Sequence, residues 1–319
     1  MPHTDELVLT VPDQDWLERL GPYPDGVRAL AWDVGGPPSD LGDDADRLTA
    51  VVLPYQRPAA ALERLAAAPS LRLVQTLTAG YDGRVERMPP GVPLANAVGV
   101  HDASTAELAV GLAIASLRGL DDAARAQERG RWAPRVRPSL AARRVLVLGA
   151  GGVGTAIAAR LEPFEVELTR VASRARDDEH SARCGPVHGG DELDALLPGT
   201  EVLVLACPLT EATRGLVDAR LLALLPDHAL VVNVARGPVV VTADLLAELT
   251  TGRLRAAVDV VDPEPLPPAH PLWGAPGLLV SPHVGGATSA MVPRARRLVQ
   301  AQLARLLAGE PPAHVVHGG

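Results

Sequence analysis

An α/β architecture of two doubly wound parallel-sheet domains is predicted for this chain by three observations. Short apolar runs alternate with helical patterns from end to end, the rhythm of β-α-β units. A glycine turn in "VLVLGAGGVGTAIAARL" joins one such run to an alanine-rich helix near the middle. The 319 residues suffice for two domains of ordinary size, and 47% hydrophobic with 21% charged residues describes a packed chain rather than a disordered one.

The first series of strands is expected at Leu7–Thr10, Val27–Trp32, Ala50–Leu53, Leu71–Thr76 and Pro93–Ala95, each a short apolar run between turn residues. "PAAALERLAAAPS" reads as one of the helical connections, with Pro58 near its start. A long helix over Ala103–Leu117 follows. Its apolar positions nearly encircle it, so it should be buried between domains or subunits, and a homodimer is expected. "RGRWAPRVRP" then breaks the pattern. The second series is expected at Val145–Leu148, Val166–Val171, Val202–Ala206, Ala229–Val234, Ala256–Val260 and Leu278–Ser281, closed by a helix over Ala290–Leu307. No short-period repeat links the two halves.

Composition excludes several classes. A formal net charge of -8 argues against a general nucleic-acid binder. All 30 basic residues are arginine, which removes Schiff-base chemistry on lysine and the phosphate lysine of a Walker motif. Cys184 and Cys207 stand in unlike contexts and form neither a disulfide framework nor a zinc pattern, so no metal is expected. The start, "MPHTDELVLTVPD", lacks the basic-then-apolar order of a signal peptide, and the apolar run around Leu108–Leu117 is too short to span a bilayer. A cytoplasmic protein with no membrane partner is the expectation.

Gly149, Gly151 and Gly154 fit G-x-G-x-x-G between an apolar strand and a helix. The first permits the tight turn, the second a close approach of backbone to a pyrophosphate, and the third close helix–strand packing. Three later strand ends carry chemistry: Arg236 in "VVNVARGPVVV", Asp259 and Glu264 in "AAVDVVDPEPLP", and His283 in "LLVSPHVGGAT". Ligands of such sheets bind at the carboxyl ends of the strands, so an Arg, a Glu and a His converge on one crevice.

From "TLTAGYDG" to "SPHVGGAT" the chain resembles the D-2-hydroxyacid dehydrogenase family, which includes glyoxylate/hydroxypyruvate reductases and phosphoglycerate dehydrogenases. The resemblance implies a flavodoxin-like substrate domain (1–98 plus 288–319), a Rossmann cofactor domain (99–287), and an active site in the cleft between them. It implies His283 as the proton donor and acceptor at the substrate oxygen, since imidazole can run that step both ways. It selects Glu264, over neighbouring Asp262, to orient the ring. Arg236 would grip the substrate carboxylate with its planar fork. Asp259 would lie near the nicotinamide amide. Gly152, Val153, Cys207, Pro208, Thr213, Val234, Ala235 and Gly285 would line the cofactor's path. Ala79 and Gly80 would offer backbone amides to the substrate, and Tyr55 could reach the pocket. Cys207 has no histidine beside it and is not read as a nucleophile. Two positions depart from the family pattern: Glu165 replaces a glycine, and Val261 an aromatic.

"VASRARDDEH" lacks the acidic residue that accepts from the adenosine ribose in NAD-dependent relatives. Ala172 stands there, followed by Ser173, Arg174 and Arg176. A hydroxyl and cations suit a 2′-phosphate, so NADP is the expected cofactor, with NAD the alternative. The expected activity is reduction of a small 2-ketoacid of the glyoxylate or hydroxypyruvate type. The alternatives are a dehydrogenase of another small anion, such as formate or phosphite, and a nicotinamide-sensing regulator of the corepressor kind.

Overall fold

The computed structural model describes residues 6–54 and 59–318. The chain divides into two compact units: one runs to His101 and resumes at Ser289, and the other is Asp102–Thr288.

In the first unit, β1 (Leu7–Val11), β2 (Val27–Ala31), β3 (Leu48–Val52), β4 (Leu73–Gln75) and β5 (Leu94–Ala95) are parallel, in the order β5-β4-β3-β1-β2. This is the flavodoxin-like order. Every side chain of β1 and β3 is buried, as expected of strands covered on both faces. A strand from the chain's end, β13 (Val315–His317), adds antiparallel to β5. Sequence reasoning missed it, because VVH has only two apolar residues and no apolar run. The helix Met291–Leu307 lays Ala295, Val299, Leu303 and Leu306 into the core around β1 and β4, a single stripe at helical spacing. Buried Gln302 donates to Gln75 on β4 at 2.8 Å, fixing that helix to the sheet. The segment read as a helix around "PAAALERLAAAPS" is instead a 3-10 turn series over Ala59–Ala67.

In the second unit, β6 (Arg144–Leu148), β7 (Glu167–Val171), β8 (Val187–His188), β9 (Val202–Leu205), β10 (Leu230–Asn233), β11 (Arg255–Val258) and β12 (Leu278–Val280) form one parallel sheet in the order β12-β11-β10-β9-β6-β7-β8. The chain reverses direction across the sheet between β6 and β9, the switch point where such folds bind ligands. The helix Asp102–Arg118 packs on the helix Gly152–Leu161 and under β10 and β11. Small side chains on both, Ala106, Ala109, Ala113 and Ala158, let the two axes approach closely. The apolar surface that suggested a dimer through 103–117 is thus largely used inside this unit. No single helix among the described residues is long and apolar enough to cross a membrane.

Candidate active site

The glycine turn follows β6. Gly149 has φ +115°, a conformation that L side chains rarely adopt, and a Cβ there would lie 2.6 Å from the backbone between Ala206 and Cys207. A Cβ on Gly154 would overlap the Gly149 carbonyl oxygen. Gly151 differs: its Cβ would enter open space with no atom within 4 Å. Gly151 is also the N-cap of the helix Gly152–Leu161, which has no side-chain cap and no acid in its first turn. The Asp102 carboxylate lies beside the first residue of that helix, where a Cβ on Gly152 would be 2.1 Å from its Oδ2, so the space that fits the pyrophosphate of a dinucleotide is the open side at Gly151.

Past β7 the chain folds back on β8. The Ala172 amide donates to the His188 carbonyl at 3.0 Å, and Arg176 and Val187 exchange backbone hydrogen bonds at 2.9 Å. Ser173, Arg174 and Arg176 are exposed on this reversal. The Arg176 guanidinium donates to the Ala150 carbonyl at 2.9 Å, so it reaches the glycine turn. The fold-back onto β8 is what brings it in. Beneath the reversal lies Arg170, 1% exposed on β7. It meets Asp178 with two hydrogen bonds of 3.0 Å and also donates to the Gly185 carbonyl.

The Arg170 guanidinium, together with the His180 amide and Ser181 hydroxyl, pulls the Asp178 carboxyl down to about 2. A depressed pKa contributes stability that is complete above the ordinary value of 3.8 and lost as pH falls through about 2. Asp178→Asn should therefore be clearly less stable than wild type at neutral pH, and the gap should narrow below about pH 4. Urea midpoints of the two proteins across that range check this; a gap independent of pH would count against it.

At the opposite side of the switch point, buried Asn233 shapes the end of β10. Its Nδ2 donates to the Arg236 carbonyl at 3.1 Å, and its Oδ1 accepts from the Ala235 amide at 3.0 Å. Val234 and Ala235 are buried, and Arg236 emerges half-buried beyond them. A Cβ on Gly237 would overlap the Val261 carbonyl, so only glycine lets the Arg236 turn press against the loop that carries Glu264. The Thr242 hydroxyl holds the same loop, donating to the Asp262 carbonyl at 2.8 Å.

His283 Nδ1 is hydrogen-bonded to Glu264 Oε1. Both side chains are partly exposed. The backbone of His283 is left-handed, with φ +54°, and its amide donates to the Asp259 carbonyl at 2.8 Å. Asp259 itself is buried. Its carboxylate accepts from the Ser281 hydroxyl at 2.7 Å and from the amides of Val284 and Gly285 at 2.9 Å each. That takes three of about four acceptor positions on a carboxylate. In this structure Asp259 clamps the histidine loop, a task its expected place near the nicotinamide did not suggest.

Cys207 is buried, and burial pushes its thiol up to about 11, which keeps it protonated and inert. The Thr213 hydroxyl donates to the Pro208 carbonyl at 2.6 Å and accepts from the Thr210 amide at 2.8 Å, closing the loop after β9. In the first unit the carbonyls of Thr78, Ala79 and Gly80 accept from Thr76 Oγ1, Asn96 Nδ2 and Thr78 Oγ1 at 2.7, 2.8 and 2.7 Å. A trans peptide points its N–H opposite to its C=O, so pinning the first two carbonyls aims the Ala79 and Gly80 amides the other way. Tyr55 lies outside the described residues.

The polar residues that brace these parts, Asn233, Arg170, Asn96 and Ser281, were missed by sequence reasoning. One carried a usable signal: Asn233 breaks the apolar run 229–234, and a polar group there must find partners.

A family model for the "D-isomer specific 2-hydroxyacid dehydrogenase, NAD binding domain" matches residues 110–285. The chain belongs to the D-isomer specific 2-hydroxyacid dehydrogenase family. It is an oxidoreductase of that family and carries the family's NAD-binding domain. Among its relatives, a glyoxylate/hydroxypyruvate reductase A of Klebsiella pneumoniae is 32% identical over 309 residues, 93% of this chain and 92% of the relative. A glyoxylate reductase of Thermofilum pendens is 31% identical over 264 residues, covering 80% and 77%. Among solved structures, an NADPH-dependent glyoxylate/hydroxypyruvate reductase of Sinorhizobium meliloti in complex with NADP and sulfate superposes with a TM-score of 0.82 at 27% identity, with 98% of each chain covered. A 2-hydroxyacid dehydrogenase of Xanthobacter autotrophicus in complex with NADPH gives 0.81 at 29%, also with 98% of each covered. Against this dehydrogenase family, Glu165 has a plain backbone meaning. It sits at φ +60°, where the family's usual glycine is unstrained. Val261 is partly buried against the apolar core of the second unit.

Proposed function

We propose that this dehydrogenase reduces a small 2-ketoacid with NADP(H), and that glyoxylate and hydroxypyruvate are the substrates to try first. The observation that carries the reading is the His283–Glu264 pair on a loop clamped by Asp259, with Arg236 at the adjacent strand end. The names of the relatives from Klebsiella and Sinorhizobium support the substrate class, and NADP in the latter supports the cofactor.

When bound, a nicotinamide cofactor would supply the hydride for reduction of the keto carbon. His283 handles the proton. With Nδ1 engaged by Glu264, Nε2 delivers a proton to the carbonyl oxygen and recovers it in the reverse direction. Glu264 holds the ring in one orientation and stabilises the cation it forms. Arg236 binds the substrate carboxylate, which turns the keto carbon toward the cofactor. The amides of Ala79 and Gly80 serve the same carboxylate. Gly149, Gly151, Gly152, Val153 and Gly154 hold the pyrophosphate; Cys207, Pro208, Thr213, Val234, Ala235 and Gly285 bound the rest of the cofactor's path. Cofactor oxidation with a panel of 2-ketoacids, formate and phosphite tests the activity. Turnover confined to formate or phosphite would replace the substrate class, and none with any substrate would remove the reading.

Ser173, Arg174 and Arg176 take the 2′-phosphate. A charge-assisted contact contributes about 1.5–3 kcal/mol, so NADPH should be preferred over NADH by roughly ten- to a hundredfold, and less so as salt rises. Arg174→Ala should raise the Michaelis constant for NADPH and leave that for NADH nearly unchanged. Arg176→Ala should do so at least as strongly, given its contact with the glycine turn. Equal use of both cofactors by wild type, with Arg174→Ala acting on them alike, would reduce these arginines to a solvated turn.

The homodimer is also part of the proposal. Since residues 103–117 are largely covered by their own unit, its support shifts to Leu120, Trp132 and Val136, which are exposed apolar side chains beyond that helix. Light scattering at micromolar concentration should give twice the mass of one chain, and a monomer would refute it.

A further inference from the structure

We infer that Arg170 is a specificity-determining positioning residue: a buried cation that fixes the 172–178 reversal so that Ser173, Arg174 and Arg176 face the cofactor's 2′-phosphate. The inference rests on the NADP(H) reading above.

A guanidinium that is 1% exposed in a parallel strand needs a reason. Desolvating a charge is costly, and a well-packed apolar pair in its place is often as stable or more so. Here the cost is not even fully offset, because Arg170 Nε is buried with no hydrogen-bond partner among the described residues. What the ion pair does provide is geometry. The two parallel bonds to Asp178 fix both position and rotation of that residue, and a third donation fixes the Gly185 carbonyl. Asp178 in turn accepts from the His180 amide at 3.0 Å, and its own amide donates to the Ser181 hydroxyl at 2.8 Å. One buried cation therefore anchors the segment from 178 to 185.

The other end of the reversal is held separately, by Ala172 on His188 and by Arg176 on Val187. Between these two anchors the chain has little freedom. Arg176 must leave it toward Ala150 in the glycine turn, where its guanidinium lies at hydrogen-bond distance. The same pair keeps the Asp178 carboxylate directed to the strand beneath, away from a ribose. A carboxylate released there would accept from a ribose hydroxyl and repel a 2′-phosphate. Arg170 thus acts on selectivity through residues it holds, with no contact to the ligand.

Isothermal titration with adenosine 2′,5′-bisphosphate and with 5′-AMP reads this directly, apart from turnover. The variants are Arg170→Met, which frees Asp178, and the double variant Arg170→Met/Asp178→Leu, which leaves no unpaired charge and so guards against failure to fold. Both should lose the wild-type preference for the bisphosphate by about tenfold or more, while 5′-AMP affinity shifts by only about threefold. Arg170→Lys, which keeps the charge without the fork, should restore part of the preference. If wild type prefers the bisphosphate and the variants keep that preference, this inference falls and the NADP(H) reading stands. If wild type has no preference, the cofactor reading fails and this inference with it. A parallel loss of affinity for both ligands marks Arg170 as merely structural and overturns the inference.

Discussion

Replacing His283 with Ala is expected to lower turnover by roughly 10²–10⁴-fold while NADPH still binds. Only the proton step is removed. The glycine turn and the 172–176 reversal lie at other strand ends and make no contact through the imidazole. The expected loss is larger than for Glu264→Gln, because an amide at 264 can still accept from Nδ1 and hold the ring, though without the charge that stabilises an imidazolium. Position 283 is left-handed in wild type, a conformation His enters more readily than Ala, so the urea midpoint of the variant is read beside its turnover. Steady-state kinetics on both variants, with NADPH binding measured by fluorescence, gives the answer. Turnover of His283→Ala within about threefold of wild type would take the histidine out of the mechanism.

Asp259→Ala should be the most damaging change to the scaffold of the site. It deprives the Ser281 hydroxyl and the Val284 and Gly285 amides of their acceptor, the last in a fully buried place and the first two in partly buried ones. A buried donor left without a partner costs about 1–3 kcal/mol, less where water reaches it, and the three are too close to add fully, so a loss of about 2–3 kcal/mol is expected. His283 lies inside this clamped loop, so turnover should fall with stability. Asp259→Asn should fall between, since its oxygen can serve one side of the loop while its NH₂ confronts a donor on the other. Urea unfolding and turnover measured on the same preparations check both effects. If Asp259→Ala were as stable as wild type but could not bind cofactor, the carboxylate would belong to the nicotinamide and not to the loop.

Much of this molecule was legible without a structure. Apolar runs of four or five residues bounded by turn residues located β1, β3, β6, β9, β10 and β11 to within a residue or two, because a strand buried on both faces has no other way to be written. The glycine spacing located the phosphate turn, because no other residue fits at Gly149 or Gly154. The edge strands β8 and β13 were not legible, since VH and VVH offer one or two apolar residues, fewer than the LLV run that marked β12. The 3-10 series at 59–67 was read as a regular helix because its composition favours one, and local propensity is a weak prior once tertiary packing decides.

The sequence by itself determined the sheet class, the glycine turn and which side chains are candidates for the chemistry, since each depends on residue type and local spacing. Tertiary structure alone decided how those side chains are held. Nineteen residues separate Glu264 from His283, and 26 separate Arg176 from Ala150. The chain meets at those points only because parallel strands bring their carboxyl ends together. For the same reason Asp259 is a clamp, Arg176 reaches farther than its place in the chain suggests, and Asp178 is committed to Arg170. A hydrogen bond depends on where two atoms lie in space, and between residues on different strands that is fixed by the sheet.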